Sequence, residues 1–306
     1  MKKIYRLKGK VRLLLWSLLF VLFIAPAFSQ TLNQGPYDIT FSSMGHSIRG
    51  KFFAGSGSEC ITTILLLQGF PGNPNDVLGL GNKFAQAGLN VLTFNYTGTY
   101  QSEGIAGIEN VFTDIAAAYE YLHQPSVVDK YRIDTTNVIL GGWCFGGGLG
   151  MAYTATHPKI KRVFSIAGND HGQFARDYLQ DNAFAEMVDT MFDRMKIPRG
   201  PVNFEGKGTI KRLLENPAEY DLRIAAPDLA TRDILLIGGW DDTKVTIDNY
   251  LLPLYRTLKQ AGASKVRFVA FQTDHWFSNV RDELAREIIQ WIQSDIREPD
   301  NPGIVQ

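Results

Sequence analysis

The run Gly142-Trp143-Cys144-Phe145-Gly146 sets one nucleophilic side chain among glycines. An apolar stretch, Val138-Ile139-Leu140-Gly141, leads into it, and Gly147-Gly148-Leu149-Gly150 opens a helix-like run behind it. This is the nucleophile-elbow pattern Gly-x-Ser-x-Gly with cysteine in the serine position. A sharp strand-to-helix turn pushes the central side chain outward. Its neighbours must be small because strand and helix converge there, and Gly142 and Gly146 supply that. A helix beginning at Cys144 turns unpaired N–H groups and the positive end of its dipole towards the sulfur, and both favour thiolate over thiol. The chemistry this points to is attack on a carbonyl and acyl transfer through a thioester. The same residues also suit a buried, inert cysteine in a glycine-rich strand–helix packing, so the rest of the chain must decide.

A cysteine nucleophile needs a base, and the base needs an orienting acid. Of the five histidines, His46 falls in an expected hairpin, His123 closes a helix, and His157 lies at the far end of the helix after the elbow. His171 follows a strand expected at 161–167 and could reach the site. His275, in Thr273-Asp274-His275-Trp276-Phe277 beyond the last strand, is favoured as base, because the fold brings that loop back over the elbow. The acid is expected in Gly238-Gly239-Trp240-Asp241-Asp242-Thr243-Lys244-Val245. Asp241 and Asp242 are both candidates there, and either could instead be a turn or helix-capping aspartate.

These side chains need a scaffold. Strands are expected at 37–42 and 47–53, joined around Met44-Gly45, and at Ile61–Leu67, 90–95, 138–141, 161–167, 233–237 and 265–271. Helices are expected over 76–87, 110–123, after the elbow, and over 210–215, 248–261 and 280–296. Alternating strand and helix predicts an α/β fold, a mainly parallel sheet flanked by helices, with its chemistry at the carboxyl ends of the strands. From about 173 to 228 no buried strand is expected. Phe184, Met187, Val188, Met191, Phe192 and Met195 fall there at helical spacing. The expected organisation is a signal peptide at 1–29, a core at 30–169 and 229–297, a mostly helical lid insertion at 170–228 and a tail at 298–306.

The signal peptide is read from Lys2, Lys3, Arg6, Lys8, Lys10 and Arg12, followed by an apolar run over 13–25 and Ala25-Pro26-Ala27-Phe28-Ser29-Gln30. Cleavage is expected before Gln30, giving a secreted or periplasmic protein with no stable membrane insertion, because the run is short of the roughly 20 residues a span needs. Six of the 31 basic residues and none of the 31 acidic ones lie in 1–29, so the remainder carries net −6, which argues against a nucleic-acid partner. Cys60 precedes one parallel strand and Cys144 follows its expected neighbour. A strand of that length spans roughly 20 Å, beyond the reach of a disulfide, so both thiols are expected to be free.

The chain resembles the α/β-hydrolase family, and within it the dienelactone-hydrolase-like branch with a cysteine nucleophile. The resemblance rests on the elbow, on the turn Gln68-Gly69-Phe70-Pro71-Gly72, on the Tyr-x-Gly-x-x-x-Ser-Glu-Gly turn from Tyr96 to Gly104, on Gly239-x-x-Asp242-x-x-Val245, and on Asp274-His275. It implies a triad of Cys144, His275 and Asp242, with Asp241 in reserve. It also implies a second oxyanion donor at the Phe70 N–H beside that of Phe145, the residue after the nucleophile. Two departures stand out. Gln68 occupies a position where many relatives have histidine, and the 170–228 segment looks more like the lid of larger esterases and acyltransferases.

The expected activity is cleavage of a carboxylic ester, lactone or thioester through a thioester acyl-enzyme. The alternatives are an acyltransferase to an amine acceptor, using the same triad, and a non-catalytic binding protein on the same fold. Trp143, Trp240 and Trp276 flank the triad residues in sequence and are pocket candidates with Met187 and Met191. They would either wall a pocket or pack the loops beside it. The expected partner is a small-molecule acyl substrate, with no cofactor and no metal, since no spacing matches a zinc, calcium or phosphate-loop motif.

Overall fold

The computed structural model describes residues 35–57, 60–204 and 206–294. The expected signal peptide and the tail at 298–306 lie outside the described residues. The chain opens with β1 (Tyr37–Ser43) and β2 (His46–Phe53), a hairpin turned at Met44 and Gly45, both at positive φ. Then follow β3 (Ile61–Leu67), α1 (Leu80–Gln86), β4 (Asn90–Phe94), α2 (Ile108–Leu122), α3 (Pro125–Tyr131), β5 (Ile133–Trp143), α4 (Phe145–Thr156) and β6 (Arg162–Ile166). Helices α5 (His171–Gln180), α6 (Asn182–Met195), α7 (Lys211–Glu215) and α8 (Ala226–Leu229) lie between β6 and β7 (Asp233–Gly239). The order closes with α9 (Leu252–Gln260), β8 (Val266–Phe271) and α10 (Arg281–Ser294).

The eight strands of the described residues share one sheet in the order β1-β2-β4-β3-β5-β6-β7-β8. The pairings β1–β2 and β2–β4 are antiparallel, and every pairing from β4 to β8 is parallel. The apolar runs of the central strands suit burial on both faces. Ile64 and Leu66, Phe164 and Ile166, and Leu235 and Ile237 recur at spacing two. They share one face and pack against Phe84 of α1 and Leu284, Ile288 and Ile292 of α10. Helix α4 lies along β5 and β6. Arg162 ties α10 to the sheet: it pairs with Asp233 at 2.9 Å, donates to the carbonyls of Trp291 and Ile292, and stacks over the Trp291 ring.

Some elements depart from the sequence expectation. The helix expected from 76 begins only at Leu80, because Leu78 and Gly79 are left-handed, with φ of 54° and 75°. The Asp76 carboxylate instead gathers the N–H groups of Val77 and Gly81. The helix expected over 248–261 is split into a π-helical turn, Ile247–Leu251, and α9. Pro253 has no N–H to continue the ladder at that point. Helix α3 was not expected, and α5 falls in the 170–228 stretch expected to be mostly helical but was not placed individually.

Candidate active site

The loops at the carboxyl ends of β5, β7 and β8 lie at one end of the sheet, and each carries one residue of the expected triad. Strand β5 ends at Trp143, and α4 begins at Phe145. Cys144, between them, holds φ 54° and ψ −115°, a strained conformation for a residue with a side chain. The backbone pins it there: its N–H donates to Ile166 O at 2.9 Å, and its carbonyl accepts from Gly148 and Asn169, each at 3.1 Å. The flanking glycines are needed for space. A Cβ on Gly142 would come within 2.5 Å of the Gly146 backbone, and one on Gly146 within 2.4 Å of Gln68 O. Cys144 is partly exposed and Cys60 exposed, and both thiols are free. The β3–β5 register, from Ile61 beside Ile133 to Leu67 beside Gly142, puts them at opposite ends of the sheet.

His275 follows β8 and is 3% exposed. Its Nδ1 lies 2.7 Å from Asp242 Oδ2, and the ring is within hydrogen-bonding reach of the Cys144 side chain. Asp242 is fixed in turn, because its Oδ1 accepts from the N–H groups of Lys244 at 2.7 Å and Val245 at 2.9 Å. Asp241, the reserve acid, points elsewhere and accepts from Gln272 Nε2 at 2.7 Å. Burial disfavours the His275 imidazolium, but hydrogen bonds and charge from Asp242 and Cys144 outweigh it and push the pKa up to about 9.

The two expected oxyanion donors belong to residues that stand together. The Phe70 and Phe145 rings pack at 5.4 Å, and both residues border the same cleft as Cys144. As the first residue of α4, Phe145 carries an N–H with no partner within the helix. The Phe70 turn is braced from below. Gln68 Nε2 donates to Asn73 O and Thr93 Oγ1, and the buried Tyr96 hydroxyl donates to Gln68 O at 2.7 Å. Gln68 therefore does by side-chain bonding what stiffens this turn. Sequence reasoning placed Tyr96 in a turn motif without giving it this role, and missed Asp114, which takes both the N–H and the hydroxyl of Thr97 at 2.8 Å and so anchors the loop after β4. An aspartate on the inward face of α2, within its apolar stripe, was the available signal.

Over Cys144 lies a cleft of about 1080 Å³. Its walls are mostly apolar, including Phe70, Phe145, Val188, Phe192 and Leu213. Met187 and Met191 border it and are 58% and 36% exposed. Phe192 of α6 meets the Phe70 ring edge-on at 6.0 Å, so the 184–195 stripe reaches the turn beside Cys144. Of the two roles open to the three tryptophans, packing beside the loops fits better than walling the pocket, because none is among the residues that line the cleft. Trp143 lies against Gly69 and donates Nε1–H to His275 O at 3.0 Å, which makes it a support for the histidine loop. Trp240 and Trp276 are 55% and 45% exposed, and Trp276 meets the His275 ring edge-on from outside. Of the remaining histidines, His171 borders the cleft, His123 Nδ1 pairs with Tyr119 O at 2.7 Å, and His157 stacks on Tyr153.

Comparison with known proteins places this geometry. The sequence profile of the alpha/beta hydrolase fold matches residues 62–201. No curated protein matches the chain. Among solved structures, a hypothetical protein from Pseudomonas aeruginosa is similar, with a TM-score of 0.59 at 15% identity, over 84% of this chain and 92% of that one. An acylaminoacyl peptidase from Pyrococcus horikoshii is similar with a TM-score of 0.64 at 15% identity, over 88% of this chain but 43% of the peptidase. Acetyl xylan esterase 1 from Thermoanaerobacterium gives 0.58 at 19% identity, over 84% and 83%. With the strand order, the parallel register and the elbow turn already described, these likenesses identify the architecture of this chain as the alpha/beta-hydrolase fold.

Proposed function

We propose that this protein is a secreted or periplasmic hydrolase of the dienelactone-hydrolase-like kind. It cleaves a carboxylic ester, lactone or thioester through Cys144, His275 and Asp242, with 170–228 as its lid. The observation that carries this reading is the file of three groups: a strained elbow cysteine in reach of a buried histidine whose other nitrogen is held 2.7 Å from a buried aspartate.

In the proposed reaction the Cys144 thiolate attacks the acyl carbonyl. Backbone N–H groups of Phe70 and Phe145 receive the oxyanion, and losing one such donor typically raises the barrier by about 3–4 kcal/mol. A thiolate is itself a good leaving group, so the tetrahedral adduct collapses forward only if the departing oxygen or sulfur is stabilised. The His275 imidazolium supplies that proton, and Asp242 holds its tautomer and charge. The alcohol or thiol leaves, the acyl group remains on Cys144 as a thioester, and water activated by His275 releases the acid. Alkoxide and thiolate leave far more readily than an amide nitrogen, which is why esters and thioesters fit best.

The test is labelling with a thiol-reactive probe together with turnover of activated esters. Cys144-dependent labelling, and turnover lost in Cys144→Ala and His275→Ala, are the expected results. A His275→Ala variant that keeps its turnover while His171→Ala loses it would reassign the base. The address is tested by sequencing the exported protein, which should begin at Gln30.

A further inference from the structure

Tyr96 touches the residues on both sides of the proposed oxyanion hole, yet it belongs to neither the triad nor the pair of donors. It follows β4, is 3% exposed and borders the cleft. Its hydroxyl donates to Gln68 O at 2.7 Å, and its ring meets that of Phe145 edge-on, with centroids 5.5 Å apart. One side chain thus spans from the turn that carries the Phe70 N–H to the residue that carries the other donor.

The Gln68 carbonyl is where the turn meets the elbow. Gln68 is buried, and its oxygen would lie 2.4 Å from a Cβ on Gly146. A Cβ on the next residue, Gly69, would lie 2.6 Å from the Trp143 ring. The turn is therefore pressed against both ends of the elbow, and a buried carbonyl there needs a donor. Tyr96 is held so that it supplies one. Its ring is boxed by Phe145 and by Phe94, which meets it edge-on at 5.5 Å. Asp114 pins the backbone of the next residue, Thr97. Burial first, then the charges of Asp114 and Cys144, push the phenol well above its ordinary 10, so it stays an O–H donor wherever the triad can work. Without that hydroxyl the Gln68 peptide can rotate, and the N–H groups of the turn that follow rotate with it. An oxyanion donor is worth most when it is fixed in place beforehand, and small displacements are costly.

We infer that Tyr96 is a positioning residue: by holding the Gln68 carbonyl against the elbow, it fixes the Phe70 N–H relative to the Phe145 N–H so that both meet one tetrahedral oxyanion. This rests on the proposed acyl-transfer reading. Its signature is a loss confined to steps that place negative charge on a carbonyl oxygen. Substrate binding and the reactivity of the thiol itself are spared.

The experiment compares Tyr96→Phe, which keeps the ring and removes the hydroxyl, with the unsubstituted protein in three reactions. For p-nitrophenyl octanoate, kcat should fall at least about tenfold while KM stays within about twofold. Octanal is the second probe. The Cys144 thiolate adds to its carbonyl carbon, the displaced electron pair moves onto oxygen, and the His275 imidazolium proton completes the hemithioacetal, with nothing leaving. Its inhibition constant should rise by the same factor as kcat falls. Iodoacetamide is the third: the sulfur forms a bond to carbon and expels iodide, with no carbonyl oxyanion, so alkylation of Cys144 should keep its rate within about twofold. The melting transition shows whether the variant folds. If it does not, the same comparison is read in Thr93→Val, which loosens the same turn by removing the Thr93 Oγ1 acceptor from Gln68 Nε2. An unchanged kcat, an unchanged octanal affinity, or an alkylation rate that falls in step with turnover would overturn the inference. Failure of the unsubstituted protein to turn over the ester or bind octanal refutes the acyl-transfer reading itself, whereas turnover that the variant retains refutes this inference alone.

Discussion

Two neighbouring aspartates, alike in sequence, differ in what their carboxylates can do. Asp242 spends one oxygen on two backbone N–H groups and the other on His275, whereas the Asp241 carboxylate accepts from Gln272. Asp242→Asn should therefore lower kcat by about 10³–10⁴-fold, and Asp241→Asn should leave it within a few-fold, as measured on an activated ester. The raised His275 pKa sets the pH dependence. Its ordinary value is 6.5 and its folded value is about 9, so the imidazolium persists through neutral pH. kcat/KM should fall as pH climbs through about 9, where the proton donor for the leaving group is lost. By linkage, the stability this proton contributes is complete below 6.5 and is lost as pH rises through about 9. The gap in Tm between the unsubstituted chain and His275→Ala should narrow over the same interval.

At the scale of elements, the glycines of α4 divide by what surrounds them. Gly148→Ala drives a Cβ to 1.7 Å from a backbone oxygen, and α4 must part from the loop bearing His171. A loss of about 2–3 kcal/mol in denaturant unfolding is expected, in the range for overpacked sites. Gly150→Ala meets side-chain carbons alone, the end of Leu67 at 3.2 Å and Leu140 at 3.7 Å. The gain in helix propensity there should hold it within about 1 kcal/mol of neutral.

Those glycines also show what the sequence can tell. Gly142 and Gly146 announced the elbow by their spacing, and the alternation of apolar runs gave the parallel sheet. The cue for the start of α5 lay in Gly148 and in Asp170, whose side chain accepts from Gln173 N at 2.9 Å, but neither has a meaning until the loop is seen against α4. The role of the tryptophans stayed open in the sequence for a related reason. Adjacency to Asp241 and His275 in the chain does not say on which side of a loop a side chain emerges, and Trp240 and Trp276 emerge towards solvent. The late start of α1 was hidden because a left-handed Leu78 has no compositional signature.

Seen as a whole, the molecule sets an apolar cleft of about 1080 Å³ over a polar file of three side chains. Each methylene buried from water contributes about 0.8 kcal/mol, so two of them already exceed a tenfold effect. The kcat/KM of p-nitrophenyl octanoate should accordingly exceed that of the acetate by at least about tenfold. A preference for acetate would mean that the helices between β6 and β7 close down on the cleft in solution.

The proposed base hangs from β8, and among the described residues β8 has a neighbour on one side only, β7. Most of its residues are half-buried, unlike the sealed strands at the centre of the sheet. A rim strand of this kind frays before the middle gives way. Function should therefore be the first casualty of mild denaturant: ester turnover should disappear at concentrations where far-ultraviolet ellipticity is still that of the intact fold, and should return on dilution. If the two signals instead vanish together, His275 is held as firmly as the interior of the protein.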